Sequence, residues 1–353
     1  MSLYETFNSL QLILTNYVLT VVAIFGIVGN LLNAIVFCQK HFRKNSCSVY
    51  LISTSIVNLF IICFAVIPTI YASYSSYDLQ SYSVLYCKFR SYLLQSSIMM
   101  SRFSVAFASI DRYALCSSNT RIRSFNKHAK AVKAMIIVAC VWLIIPSHIL
   151  VGVNIYMPGR RCGANGLYIV IYTIYGAIVT IIPLTIMLVF SILAARNLRQ
   201  IRSRVRADHL TNSRNNLTAN RIKKRDSQLV VLAIGEVILY LISNTPFPIA
   251  SFYTVATLST PKTANMTIIE NFIRYIIFNF LLYVNSCLTF YVHLIASKAF
   301  RQECKRIFLN FHRGNNQVQP SDATAPSTIN RKTNNAVELY LTEYKNTMIK
   351  IDT

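Results

Sequence analysis

The chain has 353 residues, 54% of them hydrophobic and 13% charged, a formal net charge of +23, and a mean hydropathy of +0.44. A soluble chain of this length buries a core but not a series of unbroken apolar runs, and its basic excess sits in short connections without a reading module, which excludes nucleic acid as a partner. Catalytic triad, metal cluster and phosphate loop are all missing from the sequence, so neither an enzyme nor a cofactor is expected.

Residues 1–16 lack a basic n-region and a cleavage site and read as a short extracellular segment, with the first span inserting as its own signal. Seven runs are long enough to cross a bilayer: about 17–39, 48–73, 87–116, 130–153, 167–195, 228–257 and 271–296. They are too long and too evenly apolar for barrel strands, which predicts an all-α membrane protein built as a seven-helix bundle. Pro68, Pro146, Pro183, Pro246 and Pro248 fall inside spans, where each removes a backbone donor and kinks its helix. The turn Pro246-Phe247-Pro248 is the strongest hinge candidate. In residues 297–311, Phe300, Cys304, Ile307, Phe308 and Phe311 share one helical face flanked by Lys298, Arg301, Lys305 and Arg306. That pattern predicts an amphipathic helix on the inner membrane surface. Cys304 on its apolar face is either palmitoylated or a plain buried thiol. Residues 312–353 are polar and read as a disordered cytoplasmic tail, with Ser321, Thr324, Ser327 and Thr328 as possible phosphorylation sites.

Of the 35 Lys and Arg, 28 fall on the side that holds the tail, 6 on the other and 1 in mid-span. Basic loops stay cytoplasmic, so the amino terminus is expected outside and the carboxy terminus inside. Contact with anionic inner-leaflet lipid accounts for most of these charges. Seven of the nine cysteines lie in spans or on the cytoplasmic side. Cys87 and Cys162 alone face the oxidising exterior, and two suffice for one disulfide. Asn265-Met266-Thr267 is an outer N-glycosylation sequon, whereas Asn216-Leu217-Thr218 lies on the cytoplasmic side and is silent.

Several landmarks occur in order along residues 17–311. They are Gly29-Asn30 in the first span, Cys87 and Asp111-Arg112-Tyr113 in the third, and Trp142 in the fourth. Cys162 follows in the second outer loop, then Pro183, Pro246, Asn285-Ser286 and Phe300-Arg301. Together they resemble the rhodopsin-like (class A) G-protein-coupled receptors, with the character of invertebrate peptide-type or orphan members. The resemblance implies a plasma-membrane receptor that passes binding of an extracellular ligand to a heterotrimeric G protein by outward movement of the sixth helix. Arrestin-type regulators are implied as further partners. It also implies that Arg112 is held at rest by Asp111 and by Asp226 at the base of the sixth helix, a two-state ion-pair network.

The chain departs from that family at several points. Asn58 stands where an aspartate usually helps bind sodium, Asn244 where a tryptophan is usual, and Tyr240 where a phenylalanine is. The Asn-Pro-x-x-Tyr motif reads Thr289-Phe290-Tyr291-Val292-His293. Arg102 and Glu236 place charges near the bilayer centre, at a cost of at least ~2.5 kcal/mol each, and such groups face the interior and find partners. An Arg102–Glu236 pair between the third and sixth helices is the leading expectation. Glu236–His293, or partners of water and backbone, are the alternatives.

Leu94, followed by Gln95, replaces the aspartate of amine receptors, and Tyr283 replaces the Schiff-base lysine of light-sensing members. The upper bundle offers Leu94, Gln95, Asn244, Phe247, Tyr253, Arg274, Asn279 and Tyr283 to a neutral or peptide ligand, and a short neuropeptide is the expected one. Arg160, Arg161 and Arg274 are suited to an acidic group. A non-signalling scaffold is the competing class. A transporter would show internal repeats and paired broken spans, which the chain lacks.

Overall fold

The computed structural model describes residues 3–43, 45–75, 77–117, 119–157, 160–208 and 217–315, with side chains described outside 40–41, 201–229 and 310–315. Seven helices are long and apolar enough to cross a membrane. They are α1 (Leu3–Cys38), α2 (Ser46–Ser75), α3 (Val84–Leu115) and α4 (His128–Gly152). α5 follows as Leu167–Asp208 and α6 as two segments, Leu217–Asn244 and Pro246–Ala256. α7 is Ala264–Ala296 and α8 is Lys298–Asn315. The fold is the all-α membrane bundle anticipated from the apolar runs.

Four boundaries differ most from that reading: α5 runs on to Asp208 and α6 starts at Leu217, both beyond their apolar runs, and two more lie at the outer end. α1 begins at Leu3, because Leu3–Ile13 is an amphipathic extension of the span with no helix breaker between them. α7 begins at Ala264, where Thr263 caps the helix by accepting from the Met266 amide at 3.3 Å. The α1 extension meets the outer part of α7: Phe7 packs on Phe272 with ring centroids 4.8 Å apart, and the Thr15 and Tyr275 hydroxyls lie 2.8 Å from each other. Further along, α1 and α7 approach so closely that a Cβ on Gly29 would fall 2.9 Å from Phe290 Cβ. Glycine is required there by contact, not by backbone angle.

The bundle is apolar on both its inside and its outside. Ile144 and Val151 on α4 are among many exposed large hydrophobics, as expected where hydrocarbon replaces water. Inside, one apolar cluster around Ile62, Met99, Trp142 and Cys287 lies in the half bearing the disulfide, and another around Phe37, Leu51, Phe290 and Phe300 lies in the opposite half. At the disulfide end, β1 (Asn154–Tyr156) and β2 (Arg161–Gly163) form an antiparallel hairpin. The Cys87–Cys162 disulfide ties β2 to the start of α3.

α8 buries the expected apolar face against the bundle only in part. Phe300 and Cys304 are buried in the second cluster, but Phe308 is exposed. Eight residues at 100° each turn it about 80° from Phe300, to the edge of the same apolar arc. Phe311 and the tail from 316 lie outside the described side chains.

Candidate functional site

Three polar sites lie along the bundle axis. At the end opposite the disulfide, Arg112 is 2% exposed and pairs with the Asp111 carboxylate. Asn126, from the connection to α4, donates to the same carboxylate oxygen at 2.9 Å. Tyr113 packs edge-on against Phe190 of α5, 5.4 Å between centroids. The Asp226 side chain, expected as the second partner of Arg112, lies outside the described residues.

In the middle, the structure corrects the leading pairing of Arg102 with Glu236. Arg102, 4% exposed, donates from Nη1 to Thr180 Oγ1 and from Nη2 to Asn244 Oδ1, both at 2.7 Å. Its guanidinium also lies over the Tyr240 and Phe247 rings, at 5.7 and 5.9 Å. Among the described residues no carboxylate is within ion-pair distance of it. The physical reason is side-chain direction. Helical side chains tilt toward their own amino terminus, and α3 and α6 run in opposite directions. Arg102 therefore reaches toward the disulfide end while Glu236 reaches away from it.

Glu236 meets α7 instead, the second of the pairings left open. Its Oε1 lies 2.9 Å from His293 Nε2, within ion-pair range though off the line of a hydrogen bond. On the other side of the ring, Nδ1 is 3.0 Å from Asn33 Oδ1 of α1. Asn33 was missed by sequence reasoning, although it sits one turn from Asn30 on the same face of an apolar span. Thr180, three residues before Pro183, was missed as well. Both are small polar groups in apolar spans, and that is the signal which finds them.

Asn30 donates to the carbonyls of Gly26 and Ser286, at 2.8 and 3.0 Å. Asn58 donates to Asn30 and Thr289 at 3.4 and 3.5 Å and accepts from Ser101 at 2.9 Å. The place of the usual sodium-binding acid is thus taken by a neutral amide bonded to three helices. Asn285 accepts from Ser243 at 3.3 Å, which adds a tie between α6 and α7. Pro183 stays within an uninterrupted α5, whereas Pro246 opens the second segment of α6.

At the disulfide end a cavity of about 340 Å³ opens between α3, α5, α6, α7 and the hairpin. Leu94, Gln95, Phe247, Arg274 and Asn279 line it, as anticipated, together with Tyr172, Ser251 and Phe278. Three expected lining residues do not: Asn244 is buried and accepts from Arg102, and two tyrosines turn elsewhere. Tyr283 is 4% exposed and packed in the core cluster, and Tyr253 turns toward α7 to donate to Glu270 Oε1 at 2.8 Å. Arg160 stacks on Tyr82 at 5.1 Å instead of entering the cavity.

Arg90 is a further residue not foreseen from sequence. Pro68 cannot donate to the Phe64 carbonyl, and Arg90 Nε supplies that bond at 3.3 Å. Its other nitrogens reach Gln80, the Ala65 carbonyl and Thr69, which pins α3 to α2 beside the cavity.

Two more expected sites are placed. Asn265 is exposed in the first turn of α7. Cys304 is 7% exposed, and burial pushes its thiol up to about 11, so acylation there requires α8 to lift from the bundle.

A seven-helix membrane bundle with a capped cavity at one end and a buried acid–arginine pair at the other defines a multi-pass membrane receptor. The family model for the 7 transmembrane receptor (rhodopsin family) matches residues 29–289, and the chain belongs to that family of signalling receptors. A mouse (Mus musculus) protein, Succinate receptor 1, is 28% identical over 152 residues. The match covers 41% of this chain and 45% of that receptor, so it spans less than half of either.

Proposed function

We propose that the protein sits in the plasma membrane with its amino terminus outside, binds an extracellular ligand in the cavity beneath the hairpin, and activates a heterotrimeric G protein. The observation that carries this is that α3 bears Leu94 and Gln95 in the cavity and Asp111–Arg112 at the far end, with Arg102 bonded to α5 and α6 between them. Activation moves the Arg112 end of α6 outward, which parts Glu236 from His293 and opens a cleft for the G protein. Asp226 joins Asp111 in holding Arg112 at rest. Arrestin-type regulators meet the tail, and anionic lipid meets the basic inner loops. Asn265 carries glycan, and Cys304 is acylated only when α8 lifts.

The ligand is a short peptide whose acidic group meets Arg274. A second reading, a small carboxylic acid, is favoured by the cavity's modest 340 Å³ and by the relative named as a succinate receptor. G-protein activation in cells, screened against peptides and small carboxylates, tests both. Arg112→Ala is the control and Arg274→Gln the pocket variant. Evoked activation lost in both variants supports the proposal. Absence of basal and evoked coupling under every condition would instead favour a non-signalling scaffold.

A further inference from the structure

A crevice of about 860 Å³, larger than the outer cavity, lies between the outer halves of α6 and α7, open on the lipid side. It exists because these helices lean apart. The Ala264–Tyr275 segment of α7 is held to α1 by the Phe7–Phe272 and Thr15–Tyr275 contacts, while the Pro246–Ala256 segment of α6 packs on α5. Its walls are apolar: Ile242, Ile249, Ile269, Ile273 and Phe278. From Leu241 to Tyr253 it runs about 18 Å along α6, close to the acyl depth of one leaflet, roughly 15 Å.

One end of the crevice is charged. Glu270 there is already engaged by both oxygens: Tyr253 donates to Oε1 and Lys262 pairs with Oε2. Arg274, one turn further along α7, also lines the crevice, and among the described residues no carboxylate lies within ion-pair distance of it. An apolar slot one leaflet deep, with an unneutralised guanidinium on its α7 wall one turn inward of Glu270, is complementary to a single-chain anionic amphiphile. We infer that this crevice binds a long-chain fatty acid, with its acyl chain between α6 and α7 and its carboxylate on Arg274. The volume lies within the roughly 300–1,000 Å³ of small-molecule sites. Thr254, Arg274 and Phe278 border the outer cavity as well, so a fatty acid in the crevice and an acidic ligand in the cavity compete for the one Arg274 guanidinium.

The test uses the full-length receptor in phosphatidylcholine nanodiscs and a palmitate bearing a photoreactive diazirine at its chain end. Label is expected on the peptides holding Ile242 and Ile277. Unlabelled palmitate should compete, and methyl palmitate about tenfold less well, because the carboxylate–guanidinium bond is lost. Ile249→Trp, which fills the slot, should abolish the label, and Arg274→Gln should weaken palmitate competition about tenfold. Leu94→Trp, which fills only the outer cavity, should leave the label in place. The inference is overturned if the ester competes equally or if α4 at Ile137 and Ile144 is labelled as strongly. It is also overturned if phospholipid alone displaces the label, or if Leu94→Trp removes it. Competition on the unaltered receptor decides the matter even if a variant fails to fold. Because the readout is binding, it stands or falls apart from any signalling result.

Discussion

Asn244→Leu should be more harmful than Arg102→Met, though each breaks the same hydrogen bond. Asn244→Leu leaves a buried guanidinium with one of its two acceptors, Thr180, and hydrogen bonds to charged groups are worth about 1.5–3 kcal/mol. Arg102→Met breaks both bonds but also removes the charge. The stranded acceptors cost little, since Thr180 still donates to the Gly176 carbonyl and Asn244 to the Tyr240 carbonyl. Relief of at least ~2.5 kcal/mol of charge burial offsets the loss. At about 2 °C per kcal/mol for a chain this long, Asn244→Leu should lower Tm by about 3–6 °C and Arg102→Met by less. The double variant should be no less stable than Asn244→Leu alone, because the methionine removes the charge that the leucine stranded. Thermal unfolding of purified receptor, followed by exposure of buried cysteines to a thiol-reactive dye, reads all three. An additive double variant, or an Arg102→Met more damaging than Asn244→Leu, would refute the clamp. For the same reason Arg102→Glu with Glu236→Arg should rescue neither surface expression nor basal signalling lost in the singles.

Four further outcomes are expected. Glu236→Ala and His293→Ala should couple by about 1–3 kcal/mol in a double-mutant cycle of thermal stability, since removing one partner leaves the other buried; strict additivity would contradict the contact. Gly26→Ala should destabilise by about 1–3 kcal/mol, because its Cβ would fall 2.6 Å from Cys287 Sγ. Cys287→Ala should restore little of that, since the Cys287 Cβ would still be 2.7 Å away, and full rescue would show the clash to be with sulfur alone. At pH 8 a thiol pushed up to about 11 is ionised in roughly one molecule in 1,000, so maleimide should modify Cys304 far more slowly than a free peptide thiol, and comparable rates would show α8 detached.

What the sequence made legible was whatever depends on length and sign of charge. Apolar run length located seven helices, and the exterior position of Cys87 and Cys162 located the disulfide now seen. What it left hidden depends on rotation and direction. Tyr253 and Tyr283 lie at plausible depths for a ligand, but helix rotation turns one to Glu270 and the other into the core. Depth arithmetic put Arg102 and Glu236 level with each other, and the opposed tilt of side chains on antiparallel helices separates them. Arg90 escaped notice because its task, completing a carbonyl that Pro68 leaves open, exists only once α2 and α3 are packed.

The two mid-bundle contacts both hold the inner segment of α6 but at different distances from the break at Thr245, and this gives them different roles in the proposed movement. Asn244 is clamped by Arg102 at the break itself, with Thr180 fixing the same guanidinium to α5. Glu236 lies eight residues further in, about 12 Å away, and is held to α7 and through His293 to Asn33 of α1. A swing of the inner half of α6 about the break leaves the Arg102 clamp near the pivot nearly still, while the Glu236–His293 contact opens. The resting state therefore carries its differential energy at Glu236–His293, together with the pair at Arg112, and the Arg102 clamp serves as the fulcrum. On this reasoning His293→Ala should raise basal G-protein activation, by freeing the moving segment, whereas Thr180→Val should lower stability with little change in basal activity. The reverse pattern would place the hinge elsewhere.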